Sequence, residues 1–238
     1  MKSIFLSFFL LSTQLHAHTV LGILKGEREI MIKTKSQGQL KKILIKEGEK
    51  VSAGETIAQL ENEKEKIDYN LAKAEYEAAQ KALNDSKKLK KYLSKDELAK
   101  KKTDYLRRKA TLEQRRISLE NKSLISPING IVAKKFVRLD AHIGTGADAY
   151  EVIKMDKLNI ELDIEAKHTQ ALSKGSELEF SSELHPDRTF KANVYYIGKV
   201  LDKASGTISV KLALDNLKDE NEFVLKPGTM VKVSVNSK

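Results

Sequence analysis

The residue types that most often carry chemistry are few in this chain and poorly spaced for it. Its 238 residues include five histidines (His16, His18, His142, His168 and His185) and no cysteine. A structural or catalytic metal site draws imidazole, thiolate or carboxylate ligands into one coordination sphere, and short repeated spacings are its usual mark in sequence. No His-x-x-x-His pair and no acidic pairing at ligand spacing stands out here. If the chain were cut to leave His18 first, that residue would bind copper only weakly. The lack of cysteine excludes a disulfide framework, a thiolate zinc site, an iron–sulfur cluster, a thiol nucleophile and lipidation on an N-terminal Cys. Met31, Met155 and Met230 are isolated and read as core, and Tyr69, Tyr76, Tyr92 and Tyr105 read as packing residues. No Gly-x-Ser-x-Gly elbow, phosphate loop or paired-carboxylate arrangement is present. The expectation is a protein that is not an enzyme, with no catalytic residues, no cofactor and no metal.

The remaining chemistry is charge. There are 43 Lys+Arg against 33 Asp+Glu, a formal net charge of +10, which suits an acidic partner: nucleic acid, an anionic membrane surface or an acidic protein. The excess is not spread evenly. Residues 87–109 hold about 11 basic residues against about 3 acidic ones, roughly +8 of the total. Any one of these lysines is expected to be a solvated helix residue worth little by itself. As a cluster, Lys87, Lys88, Lys90, Lys91, Lys95 and Lys100 would steer encounter with an acidic surface, with strong salt dependence.

The elements that must position this cluster can be read from pattern. The chain opens with Met1-Lys2, an apolar run over 4–11, and small or polar residues to Ala17. This reads as a secretory signal spanning 1–17 and cut after Ala17, although Leu15 is bulky for its place; an N-terminal strand or an uncleaved anchor is the alternative. The run is shorter than the roughly 20 residues that span a bilayer, and no later segment approaches that length. The expected location is the periplasm, with no nucleic-acid partner. Residues 19–24, 29–34, 40–45 and 56–60 read as short strands between turns at Gly38, Gly48 and Gly54. From 62 to 122 Gly and Pro vanish, and Ala, Glu, Lys, Leu and Arg dominate, a long-helix composition.

Ile67, Leu71, Ala74 and Ala78 mark one expected seam, while Leu98, Tyr105, Leu112 and Leu119 repeat every seven residues. Leu106, Ala110 and Ile117 lie beside the second stripe. Ser94 followed by Glu97 is a capping-box signature that starts a new helix. Two antiparallel helices of about 28 residues, each roughly 42 Å long, are therefore expected, with one continuous helix pairing in a dimer as the alternative. The seam looks poor, with Lys101, Lys102, Arg108 and Lys109 beside it. After Ser126-Pro127-Ile128-Asn129-Gly130, a turn signal, strands resume over 131–137 and 150–155. Five further runs, 158–164, 177–181, 190–198, 207–214 and 230–235, have the size of a small β-barrel.

The segments on either side of the helices share a glycine pattern. The first runs Gly38-x-Leu40, Ile45, Glu47-Gly48, Val51, Gly54, Ile57-Ala58 and Leu60. The second runs Pro127, Gly130-x-Val132, Val137, Ile143, Gly146 and Val152-Ile153. This resembles the biotinyl/lipoyl fold, whose halves are quasi-symmetric hammerheads. The stretch from Ala58 to Lys64 is also similar to the lipoyl carrier motif, with Lys64 at the modified position, but about 60 residues separate it from the second half. A carrier modified on Lys64 is thus one alternative function, and an exported structural coiled-coil protein is another.

A lipoyl domain split by a helical hairpin, then a barrel, all behind a signal, is similar to the periplasmic adaptor or membrane fusion protein family, the HlyD-type subunits of tripartite pumps. Ile125-Ser126-Pro127-x-x-Gly130-x-Val132 and Leu225-Lys226-Pro227-Gly228-Thr229-Met230-Val231-Lys232-Val233 are its most specific stretches, with Thr229 as one inserted residue. The expected fold is a mixed α and β, elongated, multi-module chain: 18–34 as N-terminal strands joining the barrel, 35–61 and 123–154 as the split biotinyl/lipoyl-like β-sandwich, 62–122 as the antiparallel α-helical hairpin, and 155–238 as a small β-barrel. Because 238 follows the last barrel strand directly, a further membrane-proximal domain is expected to be absent or vestigial. The resemblance implies an efflux adaptor, peripherally associated with the inner membrane. It would self-associate as a hexamer and bridge an inner-membrane transporter, RND favoured and ABC as the alternative, to an outer-membrane TolC-type channel for export of small molecules. Family members that dock on such channels carry an Arg, Leu and Ser set at the hairpin tip. Ser94 matches the serine, the Leu and Arg positions hold Lys87 and Leu83, and Leu89 substitutes only with a local shift.

Overall fold

The computed structural model describes residues 17–89, 93–220 and 222–236. The expected signal segment before Ala17 lies outside the described residues, as do Lys90 and Lys91. In chain order, β1 (Ala17–Gly26) is followed by β2 (Glu29–Lys33), β3 (Gly38–Ile43), β4 (Lys50–Val51), β5 (Thr56–Leu60), α1 (Glu63–Lys88), α2 (Lys95–Glu120), β6 (Ser123–Ile125), β7 (Gly130–Lys135), β8 (His142–Ile143) and β9 (Asp148–Ile153). Then come β10 (Lys157–Glu165), α3 (Ala166–Thr169), β11 (Glu177–Ser182), β12 (His185–Ile197), β13 (Thr207–Asp215), β14 (Lys218–Asp219), β15 (Glu222–Phe223) and β16 (Met230–Asn236). The described residues form two compact units, one from 17–28 with those after Ile153 and one from those within 29–153.

The first unit is a closed barrel in the order β1-β10-β13-β12-β11-β16. Strict alternation explains why these residues close around a core. Along β10, Leu158, Ile160, Leu162 and Ile164 are buried, while the residues between them are less so. Each strand thereby presents one apolar face to the interior and one polar face outward. Phe180 of β11 and Phe190 of β12 stack with centroids 5.4 Å apart inside. Gly22 of β1 is required by packing, since a Cβ there would run into the Leu162 and Ile160 side chains and the Glu161 carbonyl.

The second unit is a sandwich of two four-stranded sheets, β2-β9-β7-β4 and β6-β5-β3-β8. The two orders are related by a quasi-two-fold: β3 plays in one half the part that β7 plays in the other, and likewise β4 and β8, β5 and β9, β6 and β2. Equivalent turns behave alike. Gly54 donates its N–H to the Ser126 carbonyl, and Gly146 donates to Thr34, both at 2.8 Å. Gly48 at φ 85° has as its counterpart Asp140 at φ 62°. The core holds Leu40, Ile57, Leu60, Val132, Tyr150 and Val152, each at most 1% exposed.

One expected boundary is corrected. The N-terminal strands over 18–34 do not all join the barrel: β1 pairs with β10 and β16, whereas β2 pairs with β9 in the sandwich. The alternating Ile30 and Ile32 suit either core. The Gly26-Glu27-Arg28 break between the strands sends them to different units.

Candidate docking site: the helical hairpin

The helices are anchored on neighbouring strands. α1 leaves just after β5, α2 ends just before β6, and β5 and β6 are hydrogen-bonded in antiparallel register, with Gln59 opposite Ser123. Both helices have 26 residues, close to the expected length. Glu63 and Glu65 occupy the first turn of α1, and Lys87 and Lys88 the last, charges placed to complement the helix dipole. At the start of α2 the expected capping box is formed. The Glu97 N–H donates to Ser94 Oγ at 3.1 Å, and the Ser94 N–H donates to Glu97 Oε2 at 2.9 Å. These bonds from Ser94, backbone first and then hydroxyl, hold the Glu97 carboxyl below its usual range against a smaller opposing effect of burial.

The seam differs from the expected one on α1. Ala72, Ala79, Leu83 and Ser86 are buried, whereas Ile67 is 67% exposed and Leu71 61%, with Ala74 and Ala78 also turned outward. On α2 the heptad Leu98, Tyr105, Leu112 and Leu119 is half-buried, in line with expectation, while Leu106 and Ile117 are exposed. α1 carries two stripes of coiled-coil spacing, and the choice between them is made by charge. Arg108 and Arg115 on α2 and Lys122 just past its end recur every seven residues, and they meet Glu75 at 2.6 Å, Asp68 at 3.7 Å and Glu65 at 3.3 Å on α1. Turning α1 to bury Ile67 would take those carboxylates away from their partners. Arg108, expected beside a poor seam, is one of its rungs. The Tyr76 and Tyr105 rings lie 5.5 Å apart between rungs, and the bond between their hydroxyls, more than burial, pushes the Tyr76 phenol up.

Ion pairs are more frequent near the base of the hairpin than toward its tip, although Lys66 and Lys73 in the base half of α1 also form none among the described residues. Lys64 pairs with Asp68 at 3.0 Å. That bond, opposed by burial and helped by the Lys64 and Arg115 charges, lowers the Asp68 carboxyl. Arg116 is held between Glu113 and Glu120. At the tip, Lys88 pairs with Asp85 at 3.3 Å, but among the described residues Lys87, Lys95 and Lys100 form no ion pair. Ser94 is exposed, and Leu89, which caps α1, is 54% exposed. Leu83 is buried in the seam and Lys87 is exposed, so of the three tip positions only Ser94 presents outward the residue type that the sequence resemblance implied. Lys64 sits in the first turn of α1 rather than on a β-turn, which differs from the setting a carrier lysine needs.

The histidines do not gather with these groups. His18 of β1 and His168 of α3 stack at 4.4 Å, a pairing that separations of 150 residues in sequence did not suggest. His185 meets the Val224 carbonyl at 3.1 Å, and His142 lies on β8. Among the described residues no three His, Cys, Asp or Glu side chains form a metal-holding group. No helix among them is long and apolar enough to cross a membrane.

Comparison with known proteins matches residues 158–238 to the CusB-like β-barrel domain. A crystal structure of a MacA–MexA chimera containing the Pseudomonas aeruginosa MexA α-hairpin domain is similar over 94% of this chain and 83% of its own, with TM-score 0.82 and 19% identity. The membrane fusion protein Spr0693 of Streptococcus pneumoniae R6 is similar over 93% of this chain and 99% of its own, with TM-score 0.71 and 18% identity. An uncharacterized protein of Haemophilus influenzae is 18% identical over 201 residues, 82% of this chain. The chain spans about half (51%) of the length of that curated relative. At these identities the structural likeness is one of fold.

Proposed function

We propose, from the premise that this chain belongs to the periplasmic adaptor or membrane fusion protein family, that it links an inner-membrane transporter to a TolC-type outer-membrane channel in a tripartite efflux pump. An RND transporter is the favoured partner on module order, with an ABC transporter as the alternative, and small molecules are the cargo class. In this reading the adaptor does no chemistry. Energy comes from the pump, and the adaptor passes conformational change along by binding each partner differently in different states. It works in the periplasm, as a ring of copies.

The observation that carries the docking assignment is the contrast along the hairpin. Glu65, Asp68 and Glu75 pair with Lys122, Arg115 and Arg108, while Lys87, Lys95 and Lys100 near the tip are left without ion-paired carboxylates among the described residues. Lys88, Leu89, Ser94 and the flanking Lys90 and Lys91 complete the proposed surface. Uncompensated exposed cations raise association rates toward an acidic surface and lose that effect in salt.

The test places a photo-crosslinking residue at Lys87 or Lys100, with Lys73 near the base as control, in cells that carry the channel. Crosslinks to the outer-membrane channel from Lys87 and Lys100 but not Lys73 are expected. The triple change Lys87→Glu, Lys95→Glu and Lys100→Glu should slow association at least tenfold at low salt. Crosslinks that are equal at Lys73, or an association rate unmoved by charge reversal, would remove the assignment.

A further inference from the structure

The loop between β12 and β13 holds its most apolar residues out in water. It runs Gly198-Lys199-Val200-Leu201-Asp202-Lys203-Ala204-Ser205-Gly206, with Val200 at 81% exposure and Leu201 at 45%. No other large hydrophobic residue among those described is as exposed as Val200. Single exposed apolar side chains are common, but this pair stands on a fixed frame. Asp202 Oδ1 accepts from the Ala204 and Ser205 N–H groups at 2.8 and 3.1 Å. The Asp202 N–H donates to the Thr207 carbonyl at 2.9 Å, and the Gly206 N–H donates to the Asp202 carbonyl at 2.8 Å. These bonds close the base of the loop and leave Val200 outside it.

The surroundings of the pair match a lipid surface. Lys199 and Lys203 flank it, and Lys174 comes from a neighbouring loop whose Gly175 N–H donates to the Val194 carbonyl at 2.8 Å. Among the described residues none of these three lysines forms an ion pair, and the one carboxylate of the loop, Asp202, is engaged by backbone N–H groups. Just before the loop, the register shift between Val194 and Tyr196 breaks the alternation of β12, so Tyr195 and Tyr196 are both exposed. An aliphatic tip, a pair of tyrosines and unpaired cations are the composition of a segment that settles into a membrane interface. Aliphatic groups reach the acyl boundary, tyrosines sit at headgroup level, and lysines meet anionic phosphates.

Chain connectivity points the same way. β13 starts at Thr207, just past the loop, and Thr207 pairs with Glu165 at the end of β10. β1 runs antiparallel to β10 and so enters the barrel at this same rim, at Ala17. The residues before Ala17 include the apolar run over 4–11. The most membrane-seeking stretch of the sequence thus joins the barrel at the rim that bears the loop.

We infer that this loop contacts an anionic phospholipid bilayer directly, with Val200 and Leu201 inserted and Lys174, Lys199 and Lys203 on the headgroups. This rests on the periplasmic setting of the proposed function, in which the transporter supplies the link to the inner membrane, and adds a lipid contact made by the chain's own residues.

Because the chain lacks cysteine, an environment-sensitive fluorophore can be attached at V200C in the full chain. The control is L217C, an exposed position past the other end of β13. On vesicles of phosphatidylcholine and phosphatidylglycerol, emission from residue 200 should shift to the blue and be quenched by nitroxides in the acyl region. Residue 217 should show neither change. Lys174→Gln, Lys199→Gln and Lys203→Gln together should raise the lipid concentration at half-signal roughly twentyfold or more, at about fivefold per lysine. Vesicles of phosphatidylcholine alone should weaken the signal similarly. No change at residue 200, equal signals on neutral and anionic lipid, or equal signals with and without the lysines would overturn the inference. A signal that appears only when the inner-membrane transporter is present in the vesicles would also overturn it, and would assign the loop to a protein. Tip crosslinks from Lys87 or Lys100 to the channel that persist in any of these cases would leave the adaptor reading standing, so the two failures are distinguishable.

Discussion

Tyr150 offers a measurable test of how the sandwich core is held. The residue is fully buried in β9, and its hydroxyl has no hydrogen-bond partner among the described residues. Burial, with a smaller contribution from the Glu47 charge, pushes its phenol up to about 12. A buried hydroxyl left without a partner costs about 1–3 kcal/mol, so Tyr150→Phe should stabilise the sandwich by about 1 kcal/mol at neutral pH after some loss of contact. The alkaline range sharpens the test. The native state holds the phenol proton to higher pH than the unfolded chain, whose tyrosine ionises near 10, so stability falls as pH rises from about 10 to about 12. That interval is worth roughly 2–3 kcal/mol. The Phe variant lacks this loss, and its advantage should widen to about 3–4 kcal/mol near pH 12. Urea unfolding would be followed by fluorescence after Phe136→Trp in both proteins, since the chain has no tryptophan of its own and Phe136 is 51% exposed on the sandwich. Other groups titrate equally in both proteins and cancel in the difference. A Phe variant less stable by 1 kcal/mol at neutral pH, or an advantage that does not grow above pH 10, would refute the reasoning.

Gly130→Ala should destabilise the sandwich by about 2 kcal/mol or more in the same assay, because a Cβ there would lie 2.5 Å from the Ile153 carbonyl oxygen and 3.0 Å from Val152 Cγ1. Asp140→Gly should stabilise the sandwich slightly, by up to about 1 kcal/mol, and raise its urea midpoint accordingly, since Asp140 holds φ 62° where its quasi-equivalent is Gly48. Ser94→Ala should speed amide exchange several-fold at Glu97 and Leu98, and should return the Glu97 carboxyl only part of the way toward its ordinary range in an NMR titration, since the larger bond, from the backbone N–H of residue 94, is kept. Because that carboxyl is lowered in the native state, its stabilising effect is present above the unfolded value and fades as pH falls through the native one. The difference in exchange between the two proteins should therefore shrink in acid, once pH falls below the ordinary carboxylate range.

Much of this architecture was legible because its signals are periodic. The gap without Gly or Pro over 62–122 marked the helices, Ser94 with Glu97 marked the second start, and the heptad at Leu98, Tyr105, Leu112 and Leu119 found the α2 face of the seam. The α1 face was misread for an instructive reason. Ile67 and Leu71 are its most hydrophobic residues, and hydrophobicity alone selects them. The true seam is built from alanines, a tyrosine and acids that count only once Arg108, Arg115 and Lys122 are set against them, and that register is not visible until two helices are paired. β2 shows the same limit, because Ile30 and Ile32 would serve either core and only pairing with β9 decides. The stacking of His18 on His168 had no local signal at all. The tip surface remains a proposal from charge: the lysines were found by counting, and the structure adds which cations elsewhere are already matched.

The way the hairpin is rooted has a consequence for how far it extends. Its two arms rise from adjacent rungs of one ladder, β5 beside β6, with Leu60 donating to the Lys122 carbonyl at 2.8 Å. The spacing between the two roots is therefore fixed by a pair of strands and is indifferent to what lies between. Seven residues added to or removed from each arm would preserve the matching of acids to bases while altering reach by about 10 Å. The platform and the length of its mast can thus vary independently, in steps of seven residues.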